Sequence, residues 1–200
     1  MKRTLEEAIS NRRSYYHINS DSPVEDSEII RIIHEAVRHV PSAFNSQSTR
    51  IVLLLGEHHS KLWEIVKDTL KKMLPEEVFL NTRTKIDGSF ACGYGTVLFF
   101  EDTSVVTQFI QTYPLYSSNF KTWAQHTSAM HQFTIWTMLE DLGFGASLQH
   151  YNPLIDNEVK HTWNLPNEWE LIAQMPFGIP LSAPSEKTFK PLEERVKVFQ

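Results

Sequence analysis

Two short apolar runs, set apart by stretches of helical periodicity, constrain the fold of this chain most strongly. Residues 51–55 are β-branched at their start and end at Gly56, and residues 96–100 end before two acidic positions. Runs of about five apolar residues are too short for a helix and are typical of buried strands. A short strand candidate follows at 146–148, and a final major strand is predicted at 169–178. Separated strands among dominant helices predict an α+β fold and argue against the regular βαβ alternation of a doubly wound sheet.

Capping patterns predict where the main helices begin. Thr4 and Glu7 have the spacing of a capping box, at the start of a short helix that ends near Asn11. Ser22 is the predicted cap of a second helix, and Ser60 is that of a third. Helical periodicity then marks two later segments, a long one at 120–142 and a short one at 152–161. No GxGxxG turn follows a strand, so the sequence does not indicate a Rossmann nucleotide site.

Composition and charge narrow the classes of protein. The chain has 200 residues with 41% hydrophobic content, which fits a single domain over residues 1–200 with an extended polar arm at 180–200. A net charge of −5 argues against a nucleic-acid partner, because phosphate contacts need a basic face. No apolar stretch approaches the roughly 20 residues of a membrane span, and the N-terminus does not resemble a signal peptide. We therefore expect a soluble, cytoplasmic protein with neither a nucleic-acid nor a membrane partner.

Residues 11–16 carry two adjacent cations and a hydroxyl directly after the first predicted helix. Arg12 and Arg13 are followed by Ser14, and a guanidinium fork matches the oxygens of a phosphate group. This pattern predicts a phosphate-binding segment. The alternative is a pair of solvated arginines whose charges complement the end of the helix dipole.

A second polar segment, residues 41–47, follows the helix that must stop before Pro41. Ser42 and Asn45 belong to a run of short side chains that can direct amide, hydroxyl and backbone donors at a flat heterocycle. Both residues are also ordinary in turns. Phe44 favours the binding interpretation, because a large aromatic ring in this polar loop otherwise lacks a purpose.

Together these segments resemble the FMN-dependent nitroreductase family. Within it, the chain is most similar to the small fatty-acid-repression-mutant-type and copper-induced nitroreductases. The segments that carry the resemblance are residues 11–16, 41–47, 93–102, 148–153 and 187–192.

The resemblance implies a homodimer with FMN at the subunit interface. It implies a central, mostly antiparallel sheet flanked by helices, and intertwined subunits joined by the C-terminal arm. The phosphate and ribityl chain would be contacted by Arg12, Arg13 and Ser14. The residues that would approach the isoalloxazine from the other subunit are Pro41, Ser42, Ala43, Asn45 and Gln47.

The chain departs from the family pattern at Tyr16, where many relatives have a second cation at the phosphate site. Lys187 and Lys190 in the tail are the candidates to replace that charge. The resemblance places three further residues beside the flavin ring, with Lys85 near its N1–O2 edge: Lys85, Gln149 and His150.

The resemblance further implies an oxidoreductase that passes hydride from NADH or NADPH through FMN to a nitroaromatic, a quinone or a similar acceptor, in ping-pong turnover. Because the cofactor carries the chemistry, we predict no catalytic side chain. The choice of nicotinamide and the acceptor stay open. So do two rival interpretations, a flavin-binding regulatory or stress-response protein with incidental turnover, and a helical interaction protein without a cofactor.

We predict no metal site. The histidine pair His34 and His39 is spaced by five residues, as is the pair His126 and His131, and that spacing does not align two ligands on one helical face. The lone Cys92 excludes an internal disulfide and is interpreted as a small core residue.

Overall fold

The structure, a computed structural model, describes residues 3–200. Within these residues, the α-helices are α1 (Leu5–Asn11), α2 (Asp26–His39), α3 (Gly56–Lys71), α4 (Glu76–Ser89), α5 (Thr103–Thr112), α6 (Phe120–Asp141) and α7 (Asp156–Thr162). The strands are β1 (Ile18–Asn19), β2 (Thr49–Leu55), β3 (Gly95–Asp102), β4 (Gly145–Ala146) and β5 (Trp169–Pro180). None of these helices combines the length and the apolar character that a membrane crossing requires.

All strand pairings are antiparallel, in the order β1-β5-β3-β2, and β4 also pairs with β5. The central strand β3 is buried along its whole length, and β2 forms one edge of the sheet. The predicted α+β fold with an antiparallel sheet flanked by helices is therefore confirmed.

Alternation along β3 builds a core on each face of the sheet. Val97 and Phe99 pack on one face with residues of α2 and α6. Leu98 and Phe100 pack on the other face with residues of α3, α4 and α7. Because strand side chains alternate between faces, one apolar run supplies two cores. This explains why β3 carries consecutive apolar residues instead of the alternating pattern of a one-sided sheet.

The start of α1 agrees with its prediction. The Thr4 hydroxyl accepts from the backbone of Glu7 at 3.2 Å, and the Glu7 carboxylate accepts from the backbone of Thr4 at 2.7 Å. This reciprocal pair is a complete capping box. It fixes the direction in which the chain enters and leaves a helix of only two turns.

The predicted starts of α2 and α3 are wrong. The Ser22 hydroxyl donates to the carbonyl of Val24 at 2.6 Å, so it serves a local turn and α2 begins only at Asp26. Helix α3 begins at Gly56, directly after β2, and the Ser60 hydroxyl bonds back to the Gly56 carbonyl. Gly56 has φ of +53°, a conformation that glycine adopts without strain, and it turns the chain from strand to helix without a connecting loop.

Helix α5 was not predicted from the sequence. The Asp102 carboxylate accepts from the backbone of Ser104 at 3.0 Å and of Val105 at 3.5 Å, which caps the helix at the end of β3. The predicted helix at 152–161 begins four residues later, at Asp156. Helix α4 begins at Glu76, directly after Pro75 at its N-terminal cap position.

Residues 181–200 leave β5 as an exposed arm with one 3-10 turn at Leu192–Glu194. Several of its apolar side chains contact little of their own chain, and Phe199 is 94% exposed. The most exposed apolar residues of the arm are Leu181, Phe189, Leu192, Val196, Val198 and Phe199.

Candidate functional site

The Arg12–Ser14 segment is held beside the sheet. The Arg12 backbone closes α1 by donating to the carbonyl of Ala8 at 3.0 Å. Ser14 then forms a parallel bridge with Ala146, and the Tyr15 backbone donates to the Ala146 carbonyl at 3.0 Å. These bonds fix the backbone of the segment against β4, so the side chains that follow α1 project from a rigid base.

The two arginines of this segment point to different partners. Arg13 donates through Nη2 to the carbonyl of Ser185 in the arm. The Arg12 guanidinium carbon lies 4.4 Å from the centre of the Trp136 ring and 6.0 Å from that of Phe133, both on α6. The sequence suggested two guanidinium groups on one ligand. In the structure, Arg12 is held by α6 and Arg13 by the arm.

Arg12 carries a positive charge that pairs with no carboxylate among residues 3–200. Its Nε is buried and has no hydrogen-bond partner among residues 3–200. Burial, and then the neighbouring charge of Arg13, lower the pKa of Arg12, although not enough to neutralise a guanidinium. A half-buried cation with an unpartnered buried donor is stabilised by an anion, and a phosphate group meets that requirement.

A cavity of about 360 Å³ opens beside Arg13. Its lining consists of residues 13–17 on one side and residues 182–185 on the other, and contains no acidic side chain. The His17 carbonyl accepts from the backbone of Leu181 at 2.8 Å, and His17 Nδ1 lies 3.1 Å from the Ser182 hydroxyl. The start of the arm therefore forms one wall of the cavity. Hydroxyl, imidazole and guanidinium groups in that lining suit an anionic group.

The loop at 41–47 has a strained backbone. Phe44, Asn45 and Gln47 have φ of +55°, +53° and +50°, which costs non-glycine residues about 1 kcal/mol or more each. Several hydrogen bonds hold this shape. Among them, Gln47 donates from its backbone to the Ser42 hydroxyl at 2.9 Å, and its carbonyl accepts from Arg50 at 2.7 Å. Strain that the surroundings maintain is common at binding sites.

Phe44 belongs to an aromatic patch, which consists of Phe44, Tyr113, Tyr116, Phe120 and Trp123. The Phe44 ring centre lies between 4.7 and 6.1 Å from the other four ring centres. Phe44 is nevertheless 47% exposed, and a cavity of about 340 Å³ opens beside it. A flat aromatic molecule has exposed ring faces to stack on at this position.

Gln149 and His150 lie in a segment that Gln174 of β5 holds by hydrogen bonds. The backbones of Gln149 and Gln174 exchange two hydrogen bonds, at 2.7 and 2.9 Å. The Gln174 side chain is fully buried, accepts from the backbone of Tyr151 at 2.7 Å and donates to the Asn152 side chain at 3.3 Å. His150 is exposed. Sequence reasoning missed Gln174, although a glutamine within the apolar run of β5 is a signal for such an anchor.

The three predicted lysines are exposed in the described chain. Lys85 Nζ lies 5.9 Å from the ring centre of Phe90, and that ring lies 6.3 Å from Tyr16, so Lys85 shares a neighbour with the cavity wall. Lys187 Nζ lies over Phe189 within the arm, at 5.2 Å. Lys187 and Lys190 are outside the lining of the cavity beside Arg13, although the arm residues just before them belong to it.

Two histidines, His126 and His131, lie near the 41–47 loop, which the sequence did not indicate. His131 shares a cavity of about 140 Å³ with Ser42 and Gln47, and donates through Nδ1 to the Thr127 carbonyl at 2.9 Å. Burial lowers the pKa of His131, against the opposing effect of that hydrogen bond. His126 lines the cavity beside the aromatic patch. Among residues 3–200, no group of three or more His, Cys, Asp or Glu side chains is arranged to hold a metal ion.

The residues predicted for one cofactor site fall into two sets within a single chain. The lining of the cavity beside Arg13 shares no residue with the linings of the cavities beside Ser42 and Phe44. The first set lines the cavity beside Arg13 and includes Tyr16. The second set is the 41–47 loop beside the other two cavities, and it includes Pro41, Ala43 and Asn45.

With this fold and these two sets of residues, the chain belongs to the nitroreductase family, whose model matches residues 9–179. It is 33% identical to nitroreductase FRM2 from Saccharomyces cerevisiae over an alignment of 184 residues, and this alignment covers 91% of each chain. Its structure is similar to that of nitroreductase CinD from Lactococcus lactis in complex with nicotinic acid, with a TM-score of 0.91 and 40% identity over 98% of this chain and 100% of the other. CinD has also been solved with chloramphenicol and with 4-nitrophenol.

These similarities confirm the family and the fold that the sequence motifs predicted, and they identify an oxidoreductase. Members of the family are FMN-dependent. A nitroreductase from Exiguobacterium sibiricum, which shares the fold at 12% identity and a TM-score of 0.72 over 98% of both chains, was solved in complex with FMN.

Proposed function

We propose that this protein is an FMN-dependent oxidoreductase that uses NADH or NADPH to reduce nitroaromatics, quinones or similar acceptors in ping-pong turnover. The observation that carries the proposal is the buried, unpartnered Nε of Arg12, next in the chain to Arg13, which lines an acid-free cavity. This arrangement fits the phosphate of FMN, because a dianion supplies both the missing counter-charge and the missing acceptor. The ligands bound to CinD support aromatic acceptors for a chain 39–40% identical to it.

In this proposal the first set of residues holds the phosphate end of the cofactor. Arg12 and Arg13 bind phosphate oxygens, Ser14 donates to the phosphate or the ribityl chain, and the Tyr16 hydroxyl completes the wall. The cation that relatives have at the position of Tyr16 comes from Lys187 or Lys190, because the arm reaches the cavity at Ser185.

The second set approaches the flavin ring from another copy of the chain. FMN, when bound, supplies the hydride chemistry, and the protein supplies placement and electrostatics. Lys85 is proposed to stabilise negative charge at the N1–O2 edge, since a preorganised cation lowers the free energy of charge that develops there. Gln149 and His150 lie beside the ring. The loop residues that cover it are Pro41, Ser42, Ala43, Asn45 and Gln47.

We also propose a homodimer joined by the arm. Strand β2 lies at the edge of the sheet, and a groove of about 830 Å³ runs between it and α2. Ile51, Leu53 and Leu55 form much of its apolar floor. An open edge strand accepts another strand, and the exposed apolar residues of the partner's arm suit that floor. Residues 1–200 then act as one domain per subunit, in the cytoplasm, with the arm at 180–200 crossing to the partner.

The test is the visible spectrum of the purified protein, recorded under anaerobic conditions before and after NADH or NADPH and again after 4-nitrophenol or a quinone. We expect flavin absorbance that bleaches with the nicotinamide and returns with the acceptor. Intact bound FMN with negligible steady-state turnover would favour the regulatory alternative. A colourless protein that fails to bind added FMN would overturn the proposal in favour of an interaction protein.

A further inference from the structure

The surroundings of Arg12 are unusual for a half-buried cation. Trp136 is half-buried on α6, and its ring lies 4.4 Å from the guanidinium carbon. Phe133, one turn earlier on the same helix, lies farther away at 6.0 Å. An aromatic face within about 6 Å attracts a guanidinium, and the attraction is strongest for tryptophan. Trp136 is thus the closest partner that the Arg12 fork has in the described chain.

No acid takes the place of this aromatic partner among residues 3–200. Glu140, one helical turn beyond Trp136 on α6, forms its ion pair with Arg3 through Oε1, and its buried Oε2 has no hydrogen-bond partner in the described chain. Arg3 also donates to the Glu140 carbonyl at 3.1 Å. A carboxylate on Arg12 would occupy the two forked donors that a phosphate needs. A neutral aromatic ring instead stacks against the face of the guanidinium. The N–H donors, which point outward in the guanidinium plane, then stay free.

We propose that Trp136 is a positioning residue, which fixes the Arg12 guanidinium in the orientation that binds the phosphate of FMN. The inference rests on the proposed function, both for FMN as the ligand and for Arg12 as one of the residues that bind its phosphate. Trp136 itself does not contact the phosphate; it acts through Arg12. Its contribution is therefore specific to the phosphorylated flavin and absent for riboflavin, which has the same ring and ribityl chain.

The test compares the affinities of the apoprotein for FMN and for riboflavin, measured by quenching of flavin fluorescence. We expect Trp136→Leu to weaken FMN binding about tenfold and to leave riboflavin binding unchanged, while Trp136→Phe keeps FMN affinity within about threefold of the original. Trp163→Leu is the matched control, because Trp163 is also half-buried but lies at the end of α7. It is expected to change neither affinity.

A double-mutant cycle separates positioning from packing. In an Arg12→Ala background, the further change Trp136→Leu is expected to have no effect on FMN affinity, because the residue through which it acts is gone. An additive loss would overturn the proposal, as would an equal loss of FMN and riboflavin affinity. If Trp136→Leu does not fold, Trp136→Met takes its place in the same cycle: it fills a similar volume without an aromatic face and is expected to weaken FMN alone, and only when Arg12 is present. Failure of the unaltered protein to bind FMN would instead refute the proposed function.

Discussion

Arg13 donates a hydrogen bond to the carbonyl oxygen of Ser185, a residue 172 positions later in the chain. This bond joins the segment after α1 to the start of the arm, and both form the walls of the same cavity. An extended arm whose regular structure is a single 3-10 turn among the described residues depends on such contacts to hold it in place. The position of the arm and the shape of the cavity therefore depend on each other.

The first prediction concerns this bond. Arg13→Ala should weaken FMN binding by about 2 kcal/mol, roughly thirtyfold, because the phosphate loses one charged donor. It should also speed proteolysis within residues 182–200, because the arm loses its anchor. Titration of the apoprotein with FMN and limited trypsin digestion followed by mass spectrometry measure the two effects. Arg31→Ala, an exposed arginine in a local pair with Glu28, is the control and should change neither.

The second prediction concerns the cation that Tyr16 does not supply. If Lys187 and Lys190 provide it, changing both to glutamine should weaken FMN binding roughly tenfold and reduce the salt dependence of that binding, since fewer charges face the phosphate. The matched control changes Lys71 and Lys72, two adjacent lysines at the end of α3. Equal FMN affinity in the two double variants would remove the arm lysines from the site.

Features of the fold that depend on residues close together in the sequence were predicted, and most of the others were not. Local periodicity located the buried strands and α6, and the capping box at Thr4 was visible because its partners are three residues apart. The start of α3 was not visible, because the sharp turn at Gly56 removes the loop that a cap at Ser60 implied. Helix α5 escaped prediction because its cap, Asp102, also ends a strand.

The candidate site was predictable as a list of residue types but not as an arrangement. Two adjacent arginines indicate phosphate chemistry, yet nothing local shows that Trp136 holds one and Ser185 the other. Those partners lie far along the chain, and only the packing of α1 on α6 and of the arm on residues 13–17 brings them near. The positive φ values at Phe44 and Asn45 were likewise hidden, since neither is glycine.

The third prediction concerns Gln174, the buried anchor of residues 149–152. Gln174→Leu should lower the free energy of unfolding by about 2–4 kcal/mol, because the Tyr151 backbone and the Asn152 side chain both lose their partner in a buried setting. Urea denaturation measures the change. Gln108→Leu, at an exposed position of α5, should stay within about 0.5 kcal/mol of the original protein. A similar free energy for the two variants would contradict the anchoring role.

The fourth prediction concerns pH. Burial lowers the pKa of His59, although its hydrogen bond to the Ala91 carbonyl acts in the opposite direction. The native state therefore binds fewer protons at this site than the unfolded state. The stability that a neutral His59 contributes is complete above an unfolded pKa of about 6.5 and is lost as the pH falls from there toward the lower native pKa.

His59→Asn should therefore flatten the fall in unfolding free energy between pH 7.5 and pH 5.5, measured by urea denaturation at each pH. The variant is also less stable at pH 7.5, because His59 bridges the Thr96 hydroxyl at 2.8 Å and the Ala91 carbonyl at 3.2 Å. His131, whose pKa is also lowered by burial, is present in both proteins and cancels in the comparison. His161→Asn, at an exposed position, should leave the slope unchanged.

The fifth prediction tests whether the arm joins two copies of the chain. Changing both Leu192 and Phe199 to aspartate removes two exposed apolar side chains that the groove beside β2 would bury in the dimer. Each buried side chain contributes about 1.5–3 kcal/mol, so the dissociation constant of the dimer should rise on the order of 100-fold or more. Light scattering after size-exclusion chromatography should show monomer at concentrations where the original protein is dimeric. Met73→Asp, at another exposed apolar position just after α3, should leave the dimer intact. Because the 41–47 loop is proposed to reach the flavin from the second copy, the monomeric variant should also bind FMN and riboflavin more weakly. A monomer with unchanged affinity for both flavins would place the whole site within one chain.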